Sequence, residues 1–122
     1  MKVTLIEFGK VNKNGRTYMF HQISDLPKLV ICTLDASVDE HGHAILSPPI
    51  NGKNSCASAN IIMDSFGIYA EVRPYANQNG KIFEEMMMNG CSIVPAGTGN
   101  LNEKGEVEDY RLHYIFLTKD PS

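Results

Sequence analysis

Apolar and polar residues alternate from Val3 to Phe8, a two-residue period that predicts a strand. Leu29 to Leu34 is apolar and rich in β-formers, which predicts a strand in the core. Ser58 to Met63 and Phe66 to Val72 form a hairpin pattern around Asp64-Ser65. Its second strand turns Ile68, Ala70 and Val72 to one side and Tyr69, Glu71 and Arg73 to the other. Cys91 to Val94 is a short buried strand. Val107 to Leu117 is the longest, with Tyr110, Leu112, Tyr114 and Phe116 on one face and Asp109, Arg111 and His113 beginning the other. From Lys81 to Asn89 the period changes. Ile82, Phe83, Met86 and Met87 recur at helical spacing among good helix formers, with Asn79 as N-cap and Gly90 placed for a left-handed C-terminal cap. Tyr18 to Ile23 is a shorter helical turn, and Pro27 ends it.

The intervening segments carry turn chemistry. Asn12, Asn14 and Gly15 mark a loop from Gly9 to Thr17, and Asn102 to Gly105 is a tight turn. Pro74 to Gly80 is a polar loop, and Gly97-Thr98-Gly99 reads as a Gly-rich turn. Ala36 to Ala57, with Pro48-Pro49, is a long connection of the kind that is usually functional or mobile. About six strands and one clear short helix predict an α+β fold. It is a single domain, 1–122, built on a mainly antiparallel sheet that curls into a partial barrel.

Composition narrows the function classes. A net charge of -3 provides no clustered positive face for nucleic acid. Lys10, Lys13 and Arg16 are interleaved with Asn and Gly, as in a solvated turn. The apolar runs are too short to span a bilayer, and the chain opens on a strand with no signal-peptide pattern, so no membrane partner is expected. Cys32, Cys56 and Cys91 form no CxxC pair, which points to buried thiols in a reducing compartment such as a cytoplasm.

Two segments carry a family resemblance. Asn12-Lys13-Asn14-Gly15-Arg16-Thr17-Tyr18 is close to an Asn-Gly-Arg-x-Tyr-Pro sequence, with Met19 in place of the proline. Gly80 to Gly99 runs helix, Gly, strand, Gly-x-Gly, and is followed by a strand and Asp120-Pro121-Ser122. Between them, Ser58-Ala59-Asn60-Ile61-Ile62 holds the place of a Ser-His-Ile-Ile-like strand. In this order and spacing, nearly the whole chain resembles the phage prohead maturation proteases, whose fold is shared with herpesvirus assemblins. The resemblance implies a prohead-protease-like fold and a role in virus head assembly.

The departures fall on the catalytic positions. Family proteases carry Gly-x-Ser-Ser-Arg-Gly in the Gly-rich block. Anchoring on Gly97 and Gly99 sets Val94, Pro95 and Ala96 over the Ser-Ser-Arg triplet. A gapped alignment moves Ser92 onto the nucleophile. No Gly-Glu-Leu-x-His-Pro segment is present; His43, beside His41, is the nearest base, and Ala59 holds the second-strand histidine position. Ser92 with His43 and an acid such as Asp39 or Asp64 supplies the residue types of a serine hydrolase, against an ordinary strand hydroxyl. His41, His43 and Cys56 are too few for a closed zinc site, and no metal or cofactor is expected. His21 carries no partner signal.

The resemblance without its catalytic residues implies a non-catalytic virion protein, an auxiliary or decoration protein bound to major capsid protein subunits. Met87, Met88, Pro48, Pro49, Asn77 and His113 are the expected partner-binding residues, chosen from the helix face, the two loops and the last strand. The alternatives are an active serine protease that trims scaffold or coat, and a small phage protein that blocks a host factor.

Overall fold

The computed structural model describes residues 1–34 and 54–118. Among them, eight strands form one sheet: β1 (Lys2–Glu7), β2 (Thr17–Tyr18), β3 (Ile23–Asp25), β4 (Leu29–Thr33), β5 (Ser55–Met63), β6 (Gly67–Pro74), β7 (Ser92–Leu101) and β8 (Glu106–Thr118). One helix, α1 (Gln78–Met88), and a 3-10 turn at Phe20–Gln22 complete the described elements. The mainly β architecture with one short helix agrees with the α+β expectation, and the sheet curls into a half-barrel.

β1, β6, β5 and β4 run antiparallel in that spatial order. β7 pairs antiparallel with β8 from Val107 to Thr118 and so takes one of its edges along almost its whole length. The opposite edge is shared by three short parallel partners at successive heights. β2 meets Glu106 and Val107, β3 meets Tyr110 and Arg111, and β4 meets Ile115 and Phe116. The sheet is therefore mixed at β8, not antiparallel throughout. An isolated bridge between Phe8 and Tyr18 draws the end of β1 onto β2 and curls the sheet.

Two bulges bend the β7–β8 ladder. Thr98 pairs with Arg111 and Asn100 with Glu108, so Asp109 is the extra residue, and it sits at φ 55°. That left-handed conformation is the one a bulge of this kind demands, and Asp tolerates it better than most side chains. The second bulge lies where Ala96 pairs with Tyr114 and Gly97 with Leu112. It breaks the simple alternation expected for β8. Tyr110, Leu112, Ile115 and Leu117 belong to the main core, whereas Tyr114 is buried outside it. Tyr114 shares the reverse face with Val94, Ala96 and Phe116, its partners across and along the ladder.

Gly97-Thr98-Gly99 is not a turn. It lies inside β7, which runs to Leu101, and the reversal falls at Asn102. Glycine is required at 97 by close approach, because a Cβ there would collide with the Tyr110 hydroxyl and the Arg111 carbonyl. Pro95 sits in the same strand without disrupting it, and among the described residues no strand pairs with the outer edge of β7.

The small inward residues of the β4–β6 panel, Cys32, Ala57, Ala59 and Ala70, make room for α1. Phe83 is fully buried there, with Met86 and Met87 against the same core. The helix begins earlier than expected. Asn77, not Asn79, is the N-cap, its Oδ1 accepting from the Gly80 N–H at 3.0 Å, while the Asn79 amide donates to the Ser55 carbonyl. At the other end Gly90 has φ 90°, and the Gly90 and Cys91 N–H groups return to the Met87 and Met86 carbonyls. This is the Schellman closure that glycine permits.

Candidate functional site

Two asparagine-centred turns flank a cleft formed against β2, β7 and β8. Asn12 Oδ1 accepts from the N–H groups of Asn14 and Arg16, and Asn102 Oδ1 accepts from those of Lys104 and Glu106. The two loops are tied together by the Thr17 N–H donating to the Gly105 carbonyl at 2.9 Å. Between them opens a cleft of about 250 Å³ lined by Arg16, Tyr18, Gly97, Thr98, Gly99, Leu101, Val107 and Tyr110. The two sequence segments singled out above, Asn12–Tyr18 and the Gly-x-Gly block, thus meet at one place.

The chemistry of this cleft is that of a donor pocket with aromatic walls. Tyr18 and Tyr110 meet edge to face at 5.1 Å between ring centroids. Tyr110 is only 3% exposed, and its hydroxyl lies against Gly97 without a hydrogen bond to any described residue. Burial, helped by neighbouring Tyr18, pushes its phenol well above the ordinary tyrosine range, so the group stays protonated and is a donor. Arg16 stands exposed at the rim, and its guanidinium makes no ion pair with a described carboxylate. The carboxylate across the β2–β8 pairing, Glu106, is engaged by the Asn102 amide at 3.1 Å.

Thr98 Oγ1 and His113 Nε2 lie 3.0 Å apart on the exposed side of the β7–β8 ladder. Ser92, in contrast, is half-buried at the start of β7, opposite Thr118. His113 is five residues along β8 from that position, about 16 Å at ~3.3 Å per residue, so it is no base for Ser92. Asp64, weighed as a triad acid, instead closes the β5–β6 hairpin by accepting from the Phe66 and Gly67 N–H groups and the Tyr69 hydroxyl. Cys56, weighed as a metal ligand, is buried with its thiol donating to the Cys32 carbonyl at 3.4 Å. No group of three metal-ligating side chains occurs among the described residues. Asp39, His41, His43, Pro48 and Pro49 lie outside the described residues.

The expected partner-binding residues separate by environment. Met88 is 87% exposed, Met87 packs on the core, and the Asn77 carboxamide oxygen is engaged by the helix cap. A larger apolar surface lies elsewhere. Leu29 (63% exposed), Ile31 (43%) and Ile62 (44%) project from the outer face of β4 and β5. Leu29 pairs with Asn60 and Ile31 with Ser58, which makes Ile62 the diagonal neighbour of Leu29. The unbroken apolar run of β4 concealed this face, because only Val30, Cys32 and Thr33 turn inward. The cleft had a sequence signal in its two motifs, but nothing in them indicated that they would meet.

No protein-family model, curated protein or solved structure matches the chain. No helix among the described residues is long and apolar enough to cross a membrane.

Proposed function

We propose that this chain is a protein-binding module of a tailed-phage head, with a prohead-protease-like fold turned to docking on major capsid protein subunits. The observation that carries the proposal is the outer face of β4 and β5, where Leu29, Ile31 and Ile62 stand exposed as neighbours on a hydrogen-bonded sheet. Contiguous apolar surface on a rigid scaffold is the usual signature of a protein contact. The resemblance in sequence supplies the partner class, and many copies on a lattice would add weak contacts into firm attachment. In this reading the protein is an auxiliary component of the virion that stabilises the coat.

The test is co-sedimentation of the purified protein with assembled coat shells. Saturable binding, lost on Leu29→Ser with Ile31→Ser, is the expected result. Failure to bind either shells or free coat subunits overturns the proposal. The serine-protease alternative makes a different demand: Ser92 must react with a serine-directed covalent probe, and Ser92→Ala must abolish cleavage of scaffold or coat. Binding to a host factor with no affinity for coat would favour the inhibitor alternative.

A further inference from the structure

We infer that the cleft between the Asn12 and Asn102 turns is a carboxylate-binding site, taking a single carboxylate on a short apolar or peptide stem. Three independent features converge on it. The Tyr110 side chain is buried, yet its hydroxyl meets no described hydrogen-bond acceptor and lines the cleft. No buried side-chain oxygen among the described residues lacks a partner, so the Tyr110 hydroxyl is the part of this buried side chain that stays open to the cleft, a donor presented to an acceptor arriving from outside. Arg16 is held at the rim by the Asn12 turn and has no described carboxylate partner, leaving its planar fork of donors available. Gly97 and Gly99 bring no side chain into the lining, and the absence of a Cβ lets the Tyr110 hydroxyl and Val107 close in on β7 there.

The rest of the lining chooses between anions. Tyr18, Leu101 and Val107 are apolar or aromatic, and there is one cation. A phosphate favours several charged or backbone donors, whereas one guanidinium and one phenol suit the two oxygens of a carboxylate. The volume of about 250 Å³ admits one amino-acid side chain or a chain terminus with its last side chain, and nothing much larger. This site is separate from the β4–β5 outer face, and its occupancy does not depend on whether that face docks on a coat.

The experiment is an amide-resolved NMR titration of the full chain with four probes. These are propionate, a short neutral peptide with a free C-terminal carboxylate, the same peptide amidated but carrying one glutamate, and inorganic phosphate. Shifts confined to Arg16, Tyr18, Gly97–Gly99 and Tyr110, saturating for at least one carboxylate, are expected. The two peptides tell a chain terminus from an acidic side chain. Arg16→Gln should weaken binding about tenfold or more. Tyr110→Phe, which keeps the ring and its packing, should weaken it about three- to tenfold with an unchanged melting temperature. Phosphate binding as tightly as every carboxylate overturns the inference, as do shifts that Arg16→Gln leaves unaltered. The absence of saturation by any carboxylate probe at tens of millimolar overturns it too.

Discussion

The β5–β6 ladder and the β7–β8 ladder are both antiparallel hairpins, and they are built to opposite ends. In the first, pairing runs without a break from Ala57–Pro74 to Met63–Ile68. Inward positions are small or β-branched, outward ones alternate, and α1 seals the inner face. In the second, two register shifts interrupt the pairing, one residue has positive φ, and two glycines replace side chains. Regular pairing maximises buried apolar contact. Interrupted pairing reorients side chains, and here the interrupted stretch, Gly97 to Gly99 with Tyr110, lines the cleft. Both hairpins contribute to the core, and the irregular pairing is confined to the β7–β8 hairpin that also lines the cleft.

This contrast can be broken most severely from the regular side. Phe83→Ala removes the fully buried ring that α1 sets on β5 and β6 and should cost about 3–5 kcal/mol, read as a lowered denaturant midpoint. Gly97→Ala attacks the irregular side. Its new methyl must displace the Tyr110 hydroxyl or the Arg111 carbonyl, at a cost of about 1–3 kcal/mol, and tyrosine-ring NMR should report a moved Tyr110. Asp109 sharpens the comparison, since beyond its backbone it makes only an exposed ion pair with Arg111 at 3.6 Å, which adds little to stability. Asp109→Val should lose about 1–2 kcal/mol in thermal unfolding, while Asp109→Gly should be close to neutral. The smallest effect on stability belongs to Ile31→Ser on the outer face, within about 0.5 kcal/mol by calorimetry. If instead that change unfolds the protein, the outer face belongs to the core and not to a partner.

The sequence was most legible where a single period dominated. The alternation in β6 matches its buried positions, and of the helical stripe Phe83 is buried and Met86 and Met87 pack partly buried on the core, while Ile82 does not join it. It was least legible where long-range packing overrode local chemistry. Gly97-Thr98-Gly99 has the composition of a turn, yet Tyr110 packed against Gly97 makes it strand, a fact fixed by a residue thirteen positions away. Likewise the sequence points to Asn79 as the cap, but its amide is engaged by the Ser55 carbonyl of β5 and Asn77 caps the helix instead. The cleft is lined by three strands flanked by two distant turns, each turn readable alone, and the bond from Thr17 to Gly105 that joins them has no sequence signature.

The three buried thiols turn the protein into its own clock. Cys32 and Cys56 have no exposed surface and Cys91 has 5%. Contact with Cys56 and burial raise the Cys32 thiol far above its ordinary range, so the closed state holds almost none of the reactive thiolate there. A thiol reagent can modify it only during an opening event, and labelling in excess reagent measures how often each part of the sheet comes apart. Cys91 sits at the junction of α1 and β7, and Cys32 and Cys56 lie on β4 and β5. The order in which they are labelled, read by mass spectrometry, would report which hairpin releases first.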